Sequence, residues 1–176
     1  MACESGNENL VKYLVELGID ITIKNKHGET ALFNACKSGN EKRVEYLVEH
    51  GADVKIKNDE GETLLFIACE RWNENLNENL VKFLVEHEVD ITIEYECGET
   101  VLFDICNNGN ENPVKYLAEH GADINKENQR SETPLFKACR SGNVKLVEYF
   151  VEQGADINKE NDSAETPLCF ACNLGY

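Results

Sequence analysis

Residues 25–57 read NKHGETALFNACKSGNEKRVEYLVEHGADVKIK, and the rest of the chain repeats this stretch. Its T-x-L motif recurs at intervals of 33, 37, 33 and 33 residues, with threonines at Thr30, Thr63, Thr100, Thr133 and Thr166. Cysteines recur at the same repeat position, at Cys3, Cys36, Cys69, Cys106, Cys139 and Cys172. A period of this length is typical of stacked supersecondary units, because each unit is too small to bury its own apolar face. The repetition predicts an array and favours binding over catalysis.

The 176 residues are predicted to form one domain, a single array over residues 1–176. Its copies are expected at about residues 1–24, 25–57, 58–94, 95–127, 128–160 and 161–176, of which the first and last are partial. The copy at 58–94 carries an insertion, since Cys69 to Val81 spans 12 residues where Cys36 to Val44 spans 8.

Each copy is predicted to begin with a short helix. Thr30 precedes it as an N-cap, whose hydroxyl can accept a hydrogen bond from an unpaired helix N–H. Leu32, Ala35 and Cys36 lie at i, i+3 and i+4 on one apolar face. Gly39 marks the expected end of this helix, and the small residues on its inner face let neighbouring helices approach closely.

A second helix is predicted to start near Asn40, which is a good capping residue. Val44, Leu47 and Val48 form its apolar face. Gly51 closes it, because glycine tolerates the left-handed conformation that ends many helices. A short extended stretch then leads to the turn of the next copy.

The pattern GETPLFxAC followed by GNxxxVxYLVExGAD[IV]N resembles the ankyrin repeat, over essentially the whole chain. The resemblance implies an all-α solenoid of antiparallel helix pairs, with β-hairpin or turn fingers projecting at right angles. It also implies a non-enzymatic scaffold or adaptor that binds a protein through its finger tips and concave helix face. Family resemblance further suggests Asn125 and Asn158, in the sequence GADIN, as hydroxylation positions.

Several residues depart from the family pattern. The usual histidine after T-P-L is replaced by Phe33, Phe66, Phe103, Phe136 and Cys169, which predicts aromatic packing in place of an interhelical hydrogen bond. Ser131 and Ala164 stand where a finger normally has glycine, so the last two finger turns are expected to differ. Glu88 replaces the glycine of Gly-Ala-Asp, which puts the end of that second helix in question.

Acidic residues outnumber basic ones by 33 to 17, which gives a net charge of −16 and a pI near 4.6. Such a chain repels phosphate backbones and anionic lipid surfaces, so nucleic acid and membranes are predicted not to be partners. A basic protein partner is one interpretation of the acidity. The other is a solvated surface that keeps the protein soluble.

The repeated cysteines are predicted to be free buried thiols, since successive levels of a helical stack lie too far apart for disulfides. Free thiols indicate a reducing compartment such as the cytoplasm. The pair Cys169 and Cys172 has zinc-like spacing, but it is expected to pack in the core. No metal and no cofactor are predicted. His50, His87 and His120 each end a second helix and are expected to cap it rather than to ligate a metal.

Candidate partner-binding residues fall into two sets. Finger-tip residues vary between copies while their flanks stay fixed, which fits either recognition or neutral drift. They are Lys26, His27, Asp59, Glu60, Glu96, Cys97, Gln129, Arg130, Asp162 and Ser163. The second set lies near the ends of the first helices, on the side that is concave in the family: Lys37, Glu70, Asn107 and Arg140.

Trp72 is the only tryptophan of the chain, and it stands beside Arg71 at the mouth of the insertion. Tryptophan and arginine are enriched in binding hot spots, so both residues are candidates to face a partner. The alternative is that Trp72 covers the lengthened loop.

No catalytic motif is present, whether G-x-S-x-G, a phosphate loop or H-E-x-x-H, and an enzyme is not expected.

At the end of the chain, Leu168, Phe170, Ala171 and Leu174 lack the second helix that other copies supply. Either the sequence is part of a longer protein, or these residues engage something, for example the first residues of another copy in head-to-tail self-association.

Overall fold

The computed structural model describes residues 8–72, 78–95 and 97–173. Within them the chain forms α1 (Glu8–Glu16), α2 (Ala31–Lys37), α3 (Glu41–Glu49), α4 (Leu64–Glu70), α5 (Glu78–Glu86), α6 (Val101–Asn107), α7 (Glu111–Glu119), α8 (Pro134–Ser141), α9 (Val144–Glu152) and α10 (Pro167–Asn173). Among these residues β pairing is limited to one isolated antiparallel bridge, between Lys57 and Thr63. The predicted all-α class is confirmed. None of the helices is long and apolar enough to span a membrane.

The even-numbered helices are the first helices of the copies, and the odd-numbered helices are the second helices. The chain divides into two compact units, residues 1–90 and 91–176. In unit 1, α2 packs on α3 and on α4, α4 packs on α5, and α3 lies between α1 and α5. In unit 2, α6 packs on α7 and α8, and α8 packs on α9 and α10, while α7 packs on α9. The single array over residues 1–176 stays a prediction.

The apolar faces predicted from helical periodicity form the cores of these units. Leu32, Ala35 and Cys36 are all buried on α2, and Val44 and Leu47 are buried on α3. The phenylalanines that replace the family histidine confirm the predicted aromatic packing in three copies, since they are fully buried at Phe33, Phe103 and Phe136. Phe66 is only half-buried, and Cys169, which takes this place in the last copy, is exposed.

Helix capping follows the prediction at the second helices α3 and α9, whereas Asn110 before α7 makes no side-chain capping bond. Asn40 Oδ1 accepts the N–H of Arg43 at 3.0 Å, and Asn143 caps α9 in the same way. For the first helices the prediction is partly wrong. Thr63 accepts the N–H of Phe66 at 3.1 Å, whereas the hydroxyl of Thr30 makes no capping bond and is buried without a hydrogen-bond partner.

Three residues that replace glycine nevertheless keep the backbone that glycine would adopt. Ser131 and Ala164 have φ values of 57° and 56°, and Glu88 has a φ of 57°. The Ser131 N–H donates to Asn128 O at 3.1 Å, as the Gly28 N–H does to Asn25 O. The expectation of altered turns is therefore wrong, because the hydrogen bonds of the repeat impose the left-handed conformation. The second helix at Glu88 also closes normally, through a 3.1 Å bond to Val85 O.

Candidate functional site

An asparagine and a glutamate four residues apart shape most finger turns. Asn25 Oδ1 accepts the N–H groups of His27 at 2.8 Å and Glu29 at 3.1 Å, and Asn25 Nδ2 donates to the Glu29 carboxylate at 3.0 Å. The same arrangement recurs at Asn58 with Glu62, Asn128 with Glu132 and Asn161 with Glu165. Sequence reasoning missed these residues, although the recurring N-x-x-x-E spacing was the available signal.

Neighbouring fingers within a unit are tied together by their backbones. In unit 1 the Asp59 N–H donates to His27 O at 3.1 Å. In unit 2 the Gln129 N–H donates to Cys97 O, and the Asp162 N–H donates to Arg130 O, both at 3.0 Å. Since backbone atoms carry these bonds, the side chains at the same positions are free to differ between copies. Each unit thus presents a row of variable side chains on a fixed frame.

The finger-tip side chains predicted to contact a partner all lie on the surface where the structure describes them. The exposed members are Lys26, His27, Asp59, Glu60, Cys97, Gln129, Arg130, Asp162 and Ser163. Glu96 lies outside the described residues. Exposure makes these side chains accessible, and whether they bind a partner stays a prediction.

The candidates at the ends of the first helices differ in their surroundings. Glu70, Arg71, Asn107 and Arg140 are exposed. Lys37 is half-buried and forms an ion pair with Glu29, whose pKa is lowered chiefly by this hydrogen bond. Lys37 therefore ties its helix to the preceding finger turn, which leaves its ammonium group less free to meet a partner.

Trp72 does not face solvent. Only 4% of this residue is exposed. The interpretation that Trp72 faces a partner is therefore corrected, and the alternative, that Trp72 covers the lengthened loop, stays a prediction. The inserted residues 73–77 lie outside the described residues.

The cysteines of the first helices are free, and their surroundings differ. Cys36, Cys69 and Cys106 are buried, and burial raises the pKa of Cys36 to about 12. Cys169 and Cys172 are both exposed, which corrects the expectation that they pack in the core. Among the described residues, no group of three or more histidine, cysteine or acidic side chains is arranged to hold a metal ion.

The histidines at the ends of the second helices act as predicted. The Nδ1 atoms of His50, His87 and His120 lie 2.7–2.8 Å from the backbone oxygen one turn earlier, and each ring stacks on the aromatic ring of that residue.

Asn125 and Asn158 are exposed, and the N–H of each donates to the aspartate two residues before it. Their hydroxylation stays a prediction.

Comparison with models of known protein families identifies the family of the chain. The family model described as Ankyrin repeats (3 copies) matches residues 1–95, 73–161 and 105–176, which together cover the chain from end to end. No curated protein matches it. The match agrees with the alternation of first and second helices and with the finger turns between copies. The chain therefore belongs to the ankyrin-repeat family.

Proposed function

We propose that this protein is a non-enzymatic scaffold or adaptor that holds a protein partner across its finger tips and the adjoining ends of its first helices. Ankyrin repeats are generally protein-interaction modules. The observation that carries the proposal is the finger row, in which recurring backbone bonds display side chains that change from copy to copy. Positions that do not maintain the fold are available for recognition.

The mechanism is preorganisation. The finger tips are held by the Asn–Glu pairs and by backbone hydrogen bonds between neighbouring fingers. Little backbone conformational freedom is therefore lost when a partner binds. The entropic cost of association is correspondingly smaller. In unit 1, Glu60 and Glu70 are exposed and acidic, which supports a partner that is basic where it meets this unit.

Site-specific photocrosslinking in a cell lysate tests the binding face. A photoreactive amino acid would be placed at the finger tips, at Glu60 or Gln129, and as matched controls on exposed second-helix positions, at Lys42 or Glu148. We expect a discrete protein adduct from the finger-tip positions and little from the controls. Equal adducts from both sets would contradict the proposed face.

A second candidate function is head-to-tail self-association. Large apolar side chains are exposed in the described residues only near the two ends, at Leu10, Tyr13, Leu17, Ile19, Ile23, Val144, Val151, Ile157 and Leu168. Contiguous exposed apolar patches are typical of interaction surfaces. In this candidate the α1 face of one copy covers the α9 and α10 face of another, which is a heterologous contact.

The proposed location is the cytoplasm or another reducing compartment. Support comes from the cysteines in the described part of the chain, all of which are free. Hydroxylation at Asn125 and Asn158 remains a proposal as well. Mass spectrometry of the protein purified from its native cells would detect the added oxygen on either asparagine.

A further inference from the structure

A groove of about 390 Å³ lies in unit 2, between the last two fingers and helices α8 and α10. Arg130 stands on one finger, Lys137 and Arg140 lie on α8, and Phe170 lies on α10. The phenyl ring of Phe170 packs edge-on against the buried Phe136, with the ring centroids 5.9 Å apart. We call this the arginine groove.

Only the copy at residues 128–160 has a basic side chain, lysine or arginine, at all three of these positions; the copy at 25–57 has one, Lys37, which is equivalent to Arg140. Arg130, Lys137 and Arg140 all belong to the copy at residues 128–160. The copy at 58–94 has glutamate in two of the equivalent positions, at Glu60 and Glu70, with an isoleucine in the third. The repeat fold therefore does not require cations here, and in a chain of net charge −16 the cluster runs against the overall composition.

The acidic side chains that line the arginine groove have ion-pair or hydrogen-bond partners other than the two arginines. Lys137 is paired with Glu99 at 2.8 Å and lies 3.9 Å from Glu132, which places this lysine in an ion-pair network. Asp162 accepts the Ser131 hydroxyl at 2.7 Å, and Glu165 accepts the amide of Asn161.

The two arginines are left without such partners. Arg130 and Arg140 are exposed, and no acidic side chain of the described residues lies within ion-pair distance of either guanidinium. A guanidinium is a planar fork of N–H donors that matches a carboxylate with two parallel hydrogen bonds. The groove thus offers two free carboxylate-binding groups beside the half-buried ring of Phe170.

We propose that the arginine groove binds an extended acidic segment of the protein partner, with carboxylates seated on Arg130 and Arg140. This inference rests on the proposed function, since it names the chemistry of the segment that one part of the recognition surface takes. The ligand is taken to be a protein segment because the groove lies within the surface proposed above to hold a protein partner.

Selection from a library of random displayed peptides tests the proposal. The targets are the wild-type protein, the double variant Arg130→Gln/Arg140→Gln, and the matched control Lys42→Gln/Lys145→Gln, which loses the same charge from exposed second-helix positions. We expect peptides enriched in Asp and Glu with the wild type and the control. Loss of both arginines is expected to weaken binding of a selected peptide at least about tenfold. Circular dichroism would verify that each variant is folded.

The outcomes separate this inference from the proposed function. Selected peptides that are neutral or basic, or acidic peptides that bind the arginine variant as well as the wild type, would overturn the arginine groove while leaving protein recognition standing. A library that yields no binder to the wild type would count against both. Single-stranded DNA competing with the acidic peptide only at the wild-type groove would show a general anion site and would overturn the choice of a protein segment.

Discussion

Single residues carry strain that the repeat imposes on them. Ala164 has a φ of 56°, in the finger position where three other copies have glycine, and its N–H donates to Asn161 O at 2.9 Å. Left-handed backbone crowds the Cβ of an alanine, an atom that glycine lacks. Ala164 is exposed, so its methyl group gains little from packing.

Replacing this alanine should stabilise the protein. We expect Ala164→Gly to raise the free energy of unfolding by about 0.5–1 kcal/mol, since relief of strain exceeds the added freedom of the unfolded chain. Ala118→Gly, inside α7, is the matched control and should lower it by about 1 kcal/mol. Urea unfolding followed by circular dichroism measures both. A lower midpoint for Ala164→Gly would show that this turn is not strained.

The burial of Arg43 is a second unfavourable contribution of a single residue to the free energy of folding. Arg43 is only 5% exposed, and neither Nε nor Nη1 has a hydrogen-bond partner. Burying N–H donors of a charged group without hydrogen-bond partners is unfavourable. At the equivalent position α5 has Leu80 and α9 has Leu146, both fully buried.

The substitution Arg43→Leu should therefore stabilise the protein by about 1–3 kcal/mol, the cost of an unsatisfied buried polar group. Lys42→Leu, at the exposed neighbouring position, serves as the control and should change stability by less than about 0.5 kcal/mol. Differential scanning calorimetry compares the two. Destabilisation by Arg43→Leu would mean that the guanidinium stabilises the fold through a contact.

At the scale of elements, the first helices place their thiols in different surroundings. Burial raises the pKa of Cys36, Cys69 and Cys106. On α10 the pKa of Cys169 is lowered, chiefly because the Thr166 hydroxyl donates a hydrogen bond to its sulfur at 3.4 Å. The thiolate is the reactive form, so a raised pKa protects a thiol and a lowered pKa activates it.

The rates at which the cysteines of the native protein are alkylated should follow their pKa values, with the lowest pKa reacting first. As the pH rises toward neutrality, Cys169 should react with iodoacetamide first, while Cys36 and Cys69 react only after unfolding. Peptide mass spectrometry resolves the sites. Thr166→Val should slow Cys169, and Cys172, which is also exposed, is the internal reference. Equal labelling of Cys36 and Cys169 in the folded protein would refute the order.

Periodicity and spacing predicted the helices well, because the apolar faces at Leu32 or Val44 depend only on local sequence. They failed where a neighbouring element decides the outcome. Ser131 and Ala164 were expected to alter their turns, yet hydrogen bonds to the opening asparagine retain the turn. Trp72 was judged from its residue type, whereas its burial depends on tertiary packing. Cys169 was expected in the core because it takes the place of the repeated phenylalanine, whereas tertiary packing decides whether that place is covered.

At the scale of the whole molecule, charge and apolar exposure are unevenly distributed. Acidic side chains dominate the chain, while the arginine groove concentrates free guanidinium groups in one copy. Exposed apolar side chains in the described residues concentrate near the two ends, including Leu17 and Leu168, of which Leu168 is 70% exposed. Recognition through the fingers and association through the ends would therefore depend on different side chains, and each can be disrupted by its own substitutions.

Head-to-tail association and a symmetric dimer predict different masses for variants that each lack one end. Leu17→Asp disables one end and Leu168→Asp the other, so each variant alone should remain monomeric, because every contact needs one intact end of each kind. Mixing the two variants should restore a single contact and give dimers that cannot grow, whereas the wild type forms longer chains as its concentration rises. Sedimentation velocity measures these masses. A constant monomer mass for the wild type over a hundredfold concentration range would rule out self-association through these faces, and dimers of either variant alone would point to a symmetric contact instead.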